Sequence, residues 1–341
     1  MKQTDDRLVQ WAIRQAKEKE PDISVLTVAD GYRLEEDRWC RFVGHFISDA
    51  EDTGLTRTVL IGGVGHDFFQ RSWASYEETA DAKGLHLCTL ADAELVYAKT
   101  EADRQRFLYL QARLREHLAD FRYMYQRGLE WIGQAMDVYK SMLFETDVCK
   151  LRKGAGFVGV FLSQAVVCLN QTYFKNYAQI FAMEGELKFV PEGFFEKYRA
   201  LSEISERKEL LEHCHGMIAG VRMLFSAMDP REKAAEVADL AWLGQWYQEC
   251  AYYFRKILRF CADGDAGVAF AECSFLQADL DDLTVRYGIE GLDLVGNFDG
   301  SDLKKCADQV KSVEARIVDF LEEKGVALDA YDSVEDFLAR N

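Results

Sequence analysis

The sequence predicts an α+β protein, with a small mixed β-sheet near the N-terminus followed by a large all-helical part. Three observations carry this. Short apolar runs rich in β-branched and aromatic residues are confined to residues 22–100. From Glu101 onward apolar residues recur at helical spacing, with no segment that reads as a strand. Only three prolines, Pro21, Pro191 and Pro230, interrupt 341 residues, and so few breaks favour helices.

The elements follow in order. Residues 4–19 place Leu8, Trp11, Ala12 and Gln15 on one helical face, and Pro21 ends that helix. Strands are predicted at 23–29, 41–47, 57–63, 85–90 and 93–99, with one helix, about 69–82, among them. Helices are then predicted over 101–120, 122–146, 150–178, 193–206, 207–227, 231–263, 265–287, 301–324 and 334–340. The last opens on Ser333 with Asp336 three residues later, a capping-box spacing. The organisation expected is a sheet domain at 1–100 and a helical domain at 101–341, the second open to subdivision near 230.

Bulk properties exclude several functions. The chain carries 41 basic and 58 acidic side chains, a formal charge of −17. That charge repels nucleic-acid polymers and anionic membranes. The nine cysteines form no C-x-x-C pair and sit mostly within apolar helical patterns. They read as reduced core residues of a cytoplasmic protein. The longest apolar run, residues 155–170, contains Ser163 and Gln164 and is shorter than a membrane span, so it is predicted to be the central helix of a bundle.

Four groups of residues carry candidate chemistry. In "RTVLIGGVGHDFFQRSW" (57–73), Gly62, Gly63 and Gly65 follow a strand and precede a helix, where backbone N–H groups can meet phosphate. The spacing is not G-x-G-x-x-G, and the glycines equally let the chain turn off a sheet. Asp67 in the same stretch suits either a divalent metal held over a strand end or the cap of the following helix. In "EHCHG" (212–216), His213 and His215 point to different helical faces, which does not suit one zinc ion. Lys150, Arg152 and Lys153 form a basic trio beside the central helix of an acidic protein, suited to a triphosphate or to balancing Glu145 and Asp147. No serine occupies a G-x-S-x-G elbow.

The order of elements, and the stretches "SVLTVADGYR" (24–33), "RFVGHFISDAED" (41–52), "TRTVLIGGVGHDFF" (56–69), "LADAELVYAKTEADRQRFLYLQARL" (90–114) and residues 135–174, resemble small-molecule nucleotidyltransferases of the polymerase-β-like superfamily. The likeness spans about half the chain. It implies a nucleotide or other phosphate-bearing small molecule bound in a cleft between the domains, gripped by Asp30, Gly31, Tyr32 and Arg33 and by Lys150, Arg152 and Lys153. It also places Asp67 at the third metal-binding acid, with Asp49 and Glu51 completing a Mg²⁺ site if the enzyme is active. The turn reads Asp30-Gly31-Tyr32-Arg33 where the family has Gly-Ser, and the second strand carries Gly44 and His45 where paired acids belong. The resemblance therefore implies impaired or lost transfer. The alternatives are an active Mg²⁺-dependent transferase acting on a small hydroxylated acceptor, or a helical scaffold that binds a protein partner or a second copy.

Overall fold

A computed structural model describes residues 2–35, 38–48, 53–230 and 239–340. It has the predicted class: a small five-stranded mixed sheet at the N-terminus, followed by many helices. The chain forms two compact units, Met1–Pro230 and Arg231–Asn341.

The first unit opens with α1 (Lys2–Glu18) and then five strands, β1 (Ile23–Glu35), β2 (Arg38–Ser48), β3 (Arg57–Ile61), β4 (Val64–Arg71) and β5 (Glu94–Ala98). Their order in the sheet is β3-β4-β2-β1-β5. Strands β1 and β2 pair antiparallel, as do β3 with β4 and β1 with β5, whereas β2 and β4 run parallel. Successive residues of a strand face opposite sides, which divides the core in two. Leu26, Phe46 and Phe68 face α1, where Val9, Ala12 and Ala16 bury their face. Val25 and Ile47 point the other way, into the core shared with the helices that follow.

Three local expectations change. Gly62 and Gly63, at φ 59° and 79°, make the two-residue turn of the β3–β4 hairpin. Positive φ at both positions is the turn whose twist matches antiparallel strands, and glycine adopts it without a Cβ clash. The chain does reverse there, but into a strand instead of a helix. The helix predicted from 69 begins only at Trp73, because Phe69, Gln70 and Arg71 pair with His45, Phe46 and Ile47 of β2. The run 85–90, expected as a strand, instead leads into a single helical turn, α3 (Cys88–Ala91), whose Leu90 is fully buried.

Between them lies α2 (Trp73–Ala80), and beyond β5 the helices α4 (Glu101–Ala119), α5 (Phe121–Leu143), α6 (Val148–Leu169), α7 (Gln179–Ala182), α8 (Phe194–Ala200) and α9 (Arg207–Ala227). Their starts follow capping chemistry written in the sequence. Thr100 and Asp103 form a reciprocal capping box on α4, and Asp120 and Asp147 accept the third backbone N–H of α5 and α6. Helix α6 is the predicted central helix, with Val158, Leu162, Ala165, Val166 and Leu169 buried. It ends at Leu169, short of the predicted 178, where Gln171 takes a left-handed conformation (φ 55°). By length and composition α6 would suffice to cross a membrane, yet 67% of its apolar window is buried inside the protein.

The second unit packs α10 (Leu240–Asp263), α11 (Ala266–Tyr287) and α12 (Leu303–Glu323) around their own core of Leu243, Phe254, Ile257, Leu276, Val310 and Ile317, with α13 (Val334–Arg340) at the end. Left-handed Gly264 and Gly288 terminate α10 and α11, as glycine commonly does one residue past a helix.

Candidate functional site

The described residues singled out in the sequence sit on separate elements, β1, β4, α6 and α9. Asp30, Gly31, Tyr32 and Arg33 lie within β1, where Asp30 pairs with Arg41 and Arg33 with Trp39 across β2. They form no phosphate-gripping turn. A break in register between Asp30 and Arg33 lets the glycine-containing segment stay in the hairpin. Asp67 is neither at a strand end nor a helix cap. It sits exposed within β4 opposite Thr58, whose hydroxyl donates to its carboxylate. Ser72 supplies the cap of α2 instead, accepting the Ser75 N–H at 3.2 Å. Asp49 and Glu51 lie outside the described residues. Among the described residues no group of three or more His, Cys, Asp or Glu is placed to hold a metal ion. In α9, His213 meets the Lys197 carbonyl at 2.7 Å while His215 lies against Tyr139, so the two histidines do diverge.

The basic trio fares differently residue by residue. Lys150 faces Glu145 at 3.6 Å, and the Glu145 carboxyl is held below its ordinary range by the N–H groups of Asp147 and Thr146. This is the charge-balancing role. Lys153 projects exposed from α6. Arg152 reaches the segment after α8, donating to the carbonyls of Ser202 (2.7 Å) and Ile204. Both acceptors are neutral, and no carboxylate of the described residues pairs with this guanidinium, so its charge remains uncompensated.

Arg152 lines a pocket of about 390 Å³ with Gly156, Phe181, Tyr198, Arg199, Leu201 and Ser202. That volume lies in the range of small-molecule sites. Its walls come from three helices and have separate causes. Gly156 and Gly159 flatten one face of α6; at Gly159 the Tyr198 ring packs so closely that a Cβ would lie 2.7 Å from its Cζ. Phe181 stands against Tyr198 with ring centroids 5.1 Å apart. Burial, with the nearby Tyr177 second, pushes the Tyr198 phenol up to about 12, so it stays a neutral hydrogen-bonding group at ordinary pH. Arg199 is different in kind from Arg152: it is tied to Glu184 at 2.5 Å and lies 4.9 Å over the Phe181 ring. The pocket thus offers one uncompensated cation and two aromatic rings, one of them the Tyr198 phenol. This suits a planar group joined to an anion.

Sequence reasoning found Arg152 but missed Phe181 and Tyr198. Phe181 lies in α7, a four-residue helix in the stretch between the predicted helices 150–178 and 193–206; Tyr198 lies in the second of these, but a helical pattern does not say which neighbour its ring meets. Comparison with protein-family models and with curated proteins finds no match for the chain.

Proposed function

We propose that this chain binds a nucleotide, or a related phosphate-bearing small molecule, in the pocket of α6, α7 and α8, on a nucleotidyltransferase-like scaffold whose transfer activity is weak or lost. The observation that carries the reading is the Arg152 guanidinium, uncompensated by any carboxylate of the described residues and set beside Phe181 and Tyr198. An Arg–phosphate contact is charge-assisted and directional, and an adjacent ring gives a base a stacking surface. Calorimetry of the full chain with ATP, and with adenosine as the uncharged counterpart, tests it. ATP is expected to bind and adenosine to bind weakly. Arg152→Gln should weaken ATP about tenfold or more, the worth of one charge-assisted contact. Phe181→Ala should weaken ATP and adenosine alike. ATP affinity that survives both substitutions in folded protein would rule this pocket out.

A second reading has its own observation. In the second unit Tyr252, Phe275 and Val285 are 67%, 66% and 84% exposed on α10 and α11. Large exposed apolar side chains on these helices, with Tyr253 in ring contact with both Tyr252 and Phe275, suit a protein partner or a second copy of the chain. Light scattering across a concentration series tests self-association, and Tyr252→Glu with Phe275→Glu should abolish any that occurs.

A further inference from the structure

We infer that a separate pocket, between β4, α2 and α3, is a site for a tetrahedral oxyanion, the phosphate group of inorganic phosphate or of a small phosphate monoester. It is independent of the Arg152 pocket and shares no residue with it. The pocket measures about 340 Å³, and its lining includes Phe69, Arg71, Glu78, Lys83 and His86.

The strand period makes the site. Phe68 packs against Trp11 on the α1 side, with ring centroids 5.2 Å apart, so Asp67, Phe69 and Arg71 all leave β4 on the opposite side. Arg71 is the last residue of the strand, next to the cap of α2, and its guanidinium lies 4.2 Å over the buried Tyr76 ring. Nε donates to Ser75 Oγ at 3.2 Å, and Nη1 to Thr89 Oγ1 at 2.8 Å. Nη2 donates to Thr79 Oγ1 at 2.6 Å and to the Ser75 carbonyl at 3.0 Å. The hydroxyls are themselves aimed: Thr79 donates to the Ser75 carbonyl at 2.9 Å and Thr89 to the His86 carbonyl at 2.8 Å, which leaves their lone pairs toward Arg71.

Every one of these acceptors is neutral. The guanidinium is fixed in place, with the Tyr76 phenol as a further side-chain partner, and its charge is not cancelled. A purely structural clamp between β4, α2 and α3 accounts for the hydroxyls. It does not account for the two other cation-capable side chains on the wall, Lys83 and His86, against the single carboxylate of Glu78. No carboxylate of the described residues pairs with Lys83, and its place is set by an unusual turn. Helix α2 ends with Ala82 left-handed at φ 52°, the Ala82 N–H on Thr79 and the Lys83 N–H on Glu78. An alanine in that conformation is strained. Such strain is often found where a side chain is held for binding. Phe69, 59% exposed, also lines the pocket and would meet the organic part of an ester.

The test is calorimetry of the full chain with inorganic phosphate, with phenyl phosphate and with phenol. The expected result is saturable binding of both phosphates, phenyl phosphate tighter, and none of phenol. Arg71→Met should abolish binding, but it also removes the clamp, so the decisive variants are Lys83→Ala and His86→Ala, whose side chains are exposed. Together they should weaken phosphate about tenfold or more without lowering the melting temperature. Phe69→Ala should lower phenyl phosphate affinity to that of inorganic phosphate. Absence of saturable binding at millimolar phosphate, or unchanged affinity in the Lys83→Ala, His86→Ala protein, overturns the assignment. Loss of phosphate binding on Arg152→Gln overturns it as well, since it moves the anion to the other pocket.

Discussion

Gly159→Ala isolates the contact that shapes the Arg152 pocket. A methyl at this position would sit 2.7 Å from Tyr198 Cζ, whereas carbons pack at about 3.5–4.0 Å, so the ring must retreat by about 1 Å. Phe181 at 5.1 Å and Phe194 at 6.4 Å pack against it, so retreat either disturbs those contacts or pushes the ring into the pocket it lines. Overpacking of this kind costs about 1–3 kcal/mol. Against it stands the helix preference for alanine over glycine, about 1 kcal/mol. Gly216→Ala on α9 gains the same preference with nothing within contact distance. The difference between the two variants therefore cancels propensity and leaves the steric cost, about 1–3 kcal/mol with Gly159→Ala the less stable. Because the chain has two compact units, a single melting curve mixes them. Amide exchange read by mass spectrometry on α6 peptides reports the first unit by itself. The displaced ring should also weaken nucleotide binding. Equal protection in both variants, with unaltered ligand affinity, would refute the packing of Tyr198 on α6 and with it this account of the pocket.

Other consequences are simpler to measure. Thiol labelling followed by peptide mapping should modify exposed Cys149 first and half-buried Cys88 more slowly, while Cys168 and Cys214 resist until unfolding, since burial raises both thiols to about 12. Asp147→Ala removes the side chain that accepts the Lys150 N–H at 2.9 Å and should lower α6 protection by about 1 kcal/mol, with Asp147→Asn restoring most of it. Burial also raises the phenols of Tyr198 and Tyr247 to about 12, with a charge on Tyr177 and Glu314 respectively as the next cause. The unfolded chain loses those protons near pH 10. Their contribution to stability is thus complete below about pH 10 and is lost as pH rises toward 12, which denaturation at graded alkaline pH should reveal. No alkaline decline beyond that of a Tyr198→Phe, Tyr247→Phe protein would contradict their burial.

By itself the sequence determined the α+β class, the position of the sheet at the N-terminal end and most helix starts. Those properties depend on chemistry within a turn or two: Thr100 and Asp103, Asp120 and Asp147 cap the amides beside them, and Gly264 and Gly288 take the left-handed angle that stops a helix. Tertiary structure decided the rest. "HDFFQR" reads as the approach to a helix until β2 offers it a parallel partner, and Asp30 to Arg33 read as a turn until Arg41 and Trp39 lie opposite. The Arg152 pocket joins residues up to fifty positions apart, and the Arg71 pocket gathers hydroxyls from α2 and α3 around one strand end. A helical or strand period says which face of an element is buried, not which distant face will cover it. That choice is made by long-range packing, where the free energies of alternative pairings differ by amounts no short window of residues records.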